Sequence, residues 1–419
     1  MGNVSEFIPP LCIMKLKTFA PLRPPVDLSP IVASPPYDVI DSEEARRLAH
    51  DNPKSFLHVI KPEIDLPGDV NLYDERVYAK AAENFAMFRQ NGWLRREAAP
   101  GLYLYRQSYE GHSQTGVVAV CHTEDYAQDV IRKHERTLQK KEDDRTRHVA
   151  TLKANAGPVF LMVRGTASLH ALLEKEQTQE PEVDFHSPDQ VRHTVWKVVE
   201  PEPLLAWFHA IPAAYVADGH HRSASAARCS KEFASANPAH TGEEDYNWFL
   251  SVLFPAEDLQ VLPYNRLVKG LNGLTPDALL AAAKSAGYAV GPAADGVAAA
   301  RGEVRMYLGG EWYKLLQPNP VDDDPVSALD VSILQNALLA PVLGISDPRT
   351  DARISFLGGF DCLERMAHAV DQERADVAFS LYPTSTAEIM SVADAGLIMP
   401  PKSTWFEPKL RSGLFVHTL

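Results

Sequence analysis

Asp218, Gly219, His220, His221 and Arg222 follow one another without a gap. The apolar run AAYVA precedes them and the alanine-rich SASAAR follows. A strand that hands over to a helix through Asp-Gly is a ready anion site. The first amides of a helix lack internal partners, and its dipole turns the positive end towards the junction. Gly219 lets the backbone come close to a ligand. Arg222 can fork two bonds onto a phosphate or carboxylate, and His220 or His221 can donate to an oxyanion or move a proton near neutral pH. Asp218 can accept from a hydroxyl or hold a magnesium ion. Capping by Asp218 and seam packing by the histidines would explain each residue singly. Neither explains why they crowd at one junction.

Three other stretches carry groups that could serve such a site. VIRKHERTLQKKEDDRTRH, residues 130–148, predicts part of a charged helix over 134–155, stopped by Gly157-Pro158. Helical spacing sets Glu135, Gln139 and Glu142 on one side and Lys141, Arg145 and His148 on another. Most of these residues read as a solvated face. Lys133, His134 and Glu135 differ, because basic groups are unfavourable at a positive helix end unless an anion sits there. The tail LIMPPKSTWFEPKLRSGLFVH carries Trp405, Phe406, Leu414 and Phe415, too apolar for a disordered end. It is expected to pack, and Lys402, Ser403, Thr404, Lys409 and Arg411 could then reach an anionic ligand. VASPPYDVI is expected to be a pinned loop bearing Tyr37 and Asp38.

Strands and helices must hold these groups in place. A helix starts at Ser42 with acidic residues in its first turn, and a longer one runs through VYAKAAENFAMFRQ to Asn91-Gly92. GLYLYRQSYEGHSQTGVVAVCH reads as two strands joined at Gly111-His112. PVFLMV and HTVWKVV read as further strands, EPLLAWFHAI as a helix, and NWFLSVLFPAEDLQVLPYNRLV as a hairpin. From about residue 272 the texture changes to a second α/β unit. This alternation predicts an α/β (or α+β) protein with a mixed sheet. The expected domains are 1–270, catalytic with an N-terminal extension, and 271–419, with its tail packing back on the site.

Composition removes several classes. The 419 residues are 45% hydrophobic and 23% charged with a formal net charge of −14. That balance suits a globular chain and argues against a nucleic-acid coat. The four cysteines stand far apart, without ligand-like spacing, and read as reduced. No run is long and apolar enough for a membrane span, and no secretory leader stands out, so the expected location is the cytoplasm. GxxxxGK[ST], GxGxxG after a strand, HExxH, GxSxG and the HRD and DFG pair of protein kinases are all missing.

The blocks ASPPYDVI, NPKSFLHVIKPEID, IRKHERT, GPVF, ADGHHR, LPYNR and MPPKSTWFEPKLRSGLF together resemble the bacterial family known as domain of unknown function 1015, from about residue 19 to residue 416. ADGHHR is also similar to the strand–turn–helix signature of the ParB/sulfiredoxin superfamily, which implies a ParB/sulfiredoxin-like core and phosphate binding there. Sulfiredoxins place a cysteine directly after the glycine. Here that position is His220 and the nearest cysteine is Cys229, which disfavours sulfinic-acid repair. ParB-like DNA clamping is disfavoured by the charge. The superfamily's free serine kinases carry D-G-H-x-R, which Asp218, Gly219, His220 and Arg222 match.

That resemblance implies nucleotide-dependent phosphoryl transfer to or from a small hydroxyl metabolite, with serine or phosphoserine the first to test. ATP or ADP and Mg²⁺ are implied with it, the metal on Asp218. Gly219, Arg222 and Ser223 would hold phosphate, supported by Lys133, His134, Arg145, Lys402, Ser403 and Arg411. Asp218, His220 and His221 would act in catalysis, with Glu135 as general base and Asp38 in reserve. A nucleotide- or metabolite-binding regulator without turnover is the alternative. The expected partners are a nucleotide and a small substrate, not a membrane or nucleic acid, and a homo-oligomer stays open.

Overall fold

The computed structural model describes residues 13–318 and 324–419; Cys12, Asp322 and Asp323 lie outside them. The chain forms two compact units. The first comprises residues 1–258 together with Pro408–Leu419, and the second is Leu259–Glu407. The boundary expected at 270 falls at 258, and the end of the tail, Pro408–Leu419, belongs to the first unit.

Among the described residues of the first unit, nine strands make one mixed sheet. They are β1 (Leu16–Lys17), β2 (Tyr103–Tyr109), β3 (His112–His122), β4 (Ile131–Arg132), β5 (Val159–Val163), β6 (Val183–His186), β7 (Arg192–Lys197), β8 (Ala214–Asp218) and β9 (Trp248–Pro255). Their order is β4-β8-β5-β9-β3-β2-β7-β6, with β1 on β3. β8 runs parallel to β4, and β9 parallel to β5; the other pairs are antiparallel. Glu110 and Gly111, both at positive φ, close the β2–β3 hairpin, as a two-residue turn that follows strand twist requires.

The helices of this unit that matter here are α1 (Ser42–Ala49), α2 (Glu75–Gln90), α3 (Gln139–Leu152), α4 (Ala167–Gln177), α5 (Pro201–His209) and α6 (His220–Ala236). Asp41 caps α1, accepting from the Glu44 amide at 2.8 Å, and Asp74 caps α2. One core packs Leu161, Val163 and Val216 of the sheet with Leu169, Leu173, Leu204 and Phe208 of α4 and α5. A second joins Val32, Phe56, Phe85 and Phe88, with Tyr37 packed against it. Thus the proline-rich N-terminal stretch is held by buried side chains, and also by a short antiparallel pairing of Leu22–Arg23 with Arg95–Arg96. Ser34 and Ser412 also exchange backbone hydrogen bonds of 3.0 and 2.9 Å, which ties Tyr37 and Asp38 to the C-terminal segment.

In the second unit, β10 (Gln260–Leu262) pairs with β17 (Trp405–Glu407). A six-stranded sheet contains β11 (Asn265–Val268), β12 (Ala289–Pro292), β13 (Glu303–Leu308), β14 (Glu311–Leu316), β15 (Ile354–Leu357) and β16 (Val377–Leu381).

Two expected elements come out differently. The charged helix starts at Gln139 instead of residue 134, because His134 is drawn into the interior, 2% exposed. It ends at Leu152 on Lys153, which takes the left-handed conformation, well before Gly157. The expected hairpin over 247–268 does not form. β9 is buried along its whole length between β3 and β5, whereas β11 pairs with β15 and β16 in the second unit. Apolar alternation marks strands but does not choose their neighbours.

Candidate functional site

The site is built where β8 meets α6. The β8–β5 register slips between Val216 and Asp218, and a bulge of this kind re-aims the side chain that follows it. Gly219 then takes φ +98° as the N-cap of α6, and no side chain caps that helix. A Cβ on Gly219 would lie 3.1 Å from Nε of Arg222, so glycine is required by both backbone and packing. Asp218 is therefore not the helix cap. Its carboxylate faces Lys409 at 3.0 Å and Arg222 at 3.6 Å. Burial opposes its ionisation, but Lys409 and then Arg222 outweigh this and hold the carboxyl well below the usual range.

Arg222 lies under the turn with 11% of its side chain exposed. Nη1 donates to the Pro158 carbonyl, and Nη2 lies 3.5 Å from Asp38. Its buried Nε has no hydrogen-bond partner among the described residues. His220 packs edge-on to His134, ring centroids 4.5 Å apart. Burial pushes His220 down to about 4 and His134 to about 3, so both rings are neutral at pH 7. Nε2 of His221 accepts from the Leu138 amide at 3.1 Å.

Two adjoining cavities open beside this junction and share Tyr37, Ile60, Arg145 and His148. The smaller also touches Arg222, Asn155, Gly157 and Ser412. The larger, about 240 Å³, is lined in addition by Asp38, Lys61, Glu63, Lys141, Asp144 and His221. Arg145 spans the two. Its guanidinium lies 4.0 Å from the Tyr37 ring centroid, and its Nε donates to Asp144 at 2.8 Å. His148 is neutral there, pushed to about 4 by burial and by the charge of Arg145. An open hollow of about 590 Å³, along α3 and the start of α2, shares Tyr73, Tyr78 and Asp144 with the larger cavity.

The structure thus gathers Asp38, Arg145, His221 and Arg222 around two adjoining cavities, with Asp218, Gly219 and His220 at the turn beside Arg222. The remaining sequence candidates lie elsewhere or are committed to other partners. The Ser223 hydroxyl bonds back to the Gly219 carbonyl at 3.2 Å. Lys133 is held by the Tyr126 carbonyl at 2.9 Å and by Asp129 at 2.7 Å. His134 is a buried neighbour of His220, not a surface ligand. Glu135 sits in the loop before α3, not on a helix face, and lies outside both cavity linings. Arg411 belongs to a separate buried network with Asp189, Ser187 (3.0 Å) and His193 (3.2 Å), which Tyr105 completes at 2.7 Å. Lys402 and Ser403 are in the second unit, Lys402 above the Tyr264 ring and Ser403 donating to the Pro400 carbonyl.

The residues do not fit a metal held on Asp218. Two cations already face that carboxylate, and no cluster of three or more His, Cys, Asp or Glu among the described residues could hold an ion. Cys121, Cys229 and Cys362 are free and buried. Burial raises all three thiols, Cys229 to about 12, and removes thiolate chemistry from the junction.

Sequence reasoning missed the pairing of Lys409 with Asp218 and the seat that Tyr37 gives Arg145. The only sequence signal for the first was a cluster of Lys and Arg in a non-periodic tail.

Together these features define a mixed α/β protein with a strand–helix junction in its first unit where Gly219 opens α6 above Arg222. The chain belongs to the family described as Protein of unknown function (DUF1015), which it matches over residues 16–332. No curated protein matches it. Solved structures similar to it include a free serine kinase in complex with AMP (14% identity, 70% of this chain and 86% of that one, TM-score 0.35). A conserved hypothetical protein from Pyrococcus furiosus is 14% identical (71% and 93% covered, TM-score 0.36). SbnI with a C-terminal truncation from Staphylococcus aureus is 11% identical (69% and 82%, TM-score 0.37). At these scores the chemistry has to be argued from the site's own side chains. No helix among the described residues is long and apolar enough to cross a membrane.

Proposed function

We propose that the first unit binds a nucleotide by its phosphates at the head of α6 and transfers a phosphoryl group to or from a small hydroxyl metabolite, serine being the first to test. The observation that carries this reading is Arg222, a nearly buried guanidinium with an unpartnered Nε beneath a positive-φ glycine, at a helix start that no side chain caps. Such a group next to free helix amides suits a phosphoryl oxygen. The D-G-H-x-R run, similar to that of the free serine kinases, supports the same reading.

Phosphoryl transfer asks chiefly for positioning and charge neutralisation. Arg222, the α6 amides and Arg145 would take the negative charge. Asp218 acts indirectly, its ionised carboxylate orienting Lys409 and Arg222. Asp38 would serve as general base; it lines the larger cavity and lies 3.5 Å from Arg222. In the forward direction it takes the proton of the substrate hydroxyl. The substrate oxygen then bonds to the terminal phosphorus of the nucleotide, the bond to the bridging oxygen breaks, and the nucleoside diphosphate leaves. About 240 Å³ suits a small metabolite, and the adjoining hollow has room for a nucleoside.

The test is incubation of the full chain with γ-labelled ATP, a divalent cation and a pool of hydroxyl amino acids, read by label transfer. Labelled phosphoserine or a related phosphate ester supports the proposal. Tight nucleotide binding with no transfer to any acceptor would sink it and leave the binding regulator.

A further inference from the structure

Outside that cleft, Arg266 is a buried cation with no carboxylate within ion-pair distance among the described residues. Arg266 lies in β11 of the second unit and is 3% exposed. Other well-buried arginines each face a carboxylate: Arg23 faces Glu97 and Glu182, Arg222 faces Asp38, Arg305 faces Glu303 and Arg411 faces Asp189. Arg266 has none within ion-pair distance among the described residues. Of its five N–H donors, one makes a hydrogen bond among the described residues, to the Tyr264 carbonyl. A buried guanidinium in this state is costly unless an anion completes it.

Its surroundings are aromatic and partly open. The guanidinium carbon lies 5.4 Å from the Phe356 ring centroid. Tyr264 meets Phe356 edge-on at 6.1 Å and Trp405 edge-on at 5.1 Å, and all three rings are half-buried. The amine of Lys402 stands 5.3 Å from the Tyr264 centroid. A planar fork beside aromatic faces recognises an oxyanion carried on an apolar or aromatic body.

We propose that Arg266 anchors a second anion site, within the second unit, for an organic carboxylate or phosphate monoester whose body packs on Phe356, Tyr264 and Trp405. This goes beyond the phosphoryl-transfer reading and does not depend on it.

The experiment uses the full chain with Arg222→Gln, which weakens anion binding at the head of α6. Calorimetric titration with benzoate and with phenyl phosphate is expected to show binding of at least one, tighter than acetate and inorganic phosphate respectively. The tighter of the two aryl probes identifies a carboxylate or a phosphate as the natural head group. Adding Arg266→Gln is expected to weaken that binding at least tenfold, and Arg266→Lys, which keeps charge but loses the fork, should fall between. No binding of either probe to the Arg222→Gln protein overturns the site, as does binding that Arg266→Gln leaves unchanged. Should Arg266→Gln not fold, a p-iodobenzoate soak of Arg222→Gln crystals decides. Iodine beside Phe356 supports the site; iodine only elsewhere overturns it.

Discussion

Lys409 donates a 3.0 Å hydrogen bond to the carboxylate of Asp218 across 191 positions of sequence. The pair joins the C-terminal segment to the end of β8, and Arg222 stands on the other side of the same carboxylate. Breaking it by Asp218→Asn leaves two cations facing each other. The expected cost is about 2–3 kcal/mol, below that of a fully sealed pair because a quarter of the Asp218 side chain is exposed. The double variant Asp218→Asn/Lys409→Met should recover part of that loss. Urea denaturation of the four proteins of the cycle measures it, and strict additivity would refute the coupling.

The same carboxyl predicts an acid limb. Its folded pKa lies below its unfolded value, so its stabilisation is present above the ordinary carboxylate range and is lost as pH falls through that range towards the folded value. Asp218→Asn should flatten the stability–pH curve of the parent below pH 4, as followed by thermal melts.

The buried histidines predict a second pH dependence. His134 is held at about 3 by burial and by His220. The unfolded chain therefore binds a proton near pH 6.5 that the folded chain refuses, and stability falls as pH drops from 6.5 towards 3. Between pH 7 and pH 5 His134→Phe should lose about 2 kcal/mol less than the parent. Equal losses in the two proteins would show that His134 is not held neutral.

Gly219→Ala tests the turn. A Cβ at φ +98° and 3.1 Å from Arg222 should cost about 1–2 kcal/mol and displace the guanidinium. Nucleotide affinity should then fall at least tenfold, measured by calorimetry at a temperature where the variant is folded.

Asp38→Asn separates binding from turnover. It should lower label transfer at least a hundredfold while changing nucleotide affinity by no more than a few-fold, whereas Arg222→Gln should lower both. Arg411→Met gives the contrast: it opens the buried network with Asp189 and His193, so it should cost about 3 kcal/mol and leave the affinity of the folded protein unchanged.

The sequence by itself determined the composition class and the strand–turn–helix at 214–236, because these follow from local chemistry. Asp-Gly ends a strand, glycine admits positive φ, and a polar run then opens a helix. It also showed that the proline-rich start and the aromatic tail must pack, since neither is polar enough to stay in water. Tertiary structure alone decided which distant charges meet. Arg145 sits on Tyr37, Asp38 reaches Arg222 and Lys409 reaches Asp218, while Arg411, two positions after Lys409, turns instead to His193. Lys133, His134 and Glu135 looked like the start of a helix, but burial of His134 against His220 delayed that helix to Gln139. Long-range pairing of this kind has no periodicity to reveal it. It depends on which segments share a core, and that is settled by burial summed over the whole unit.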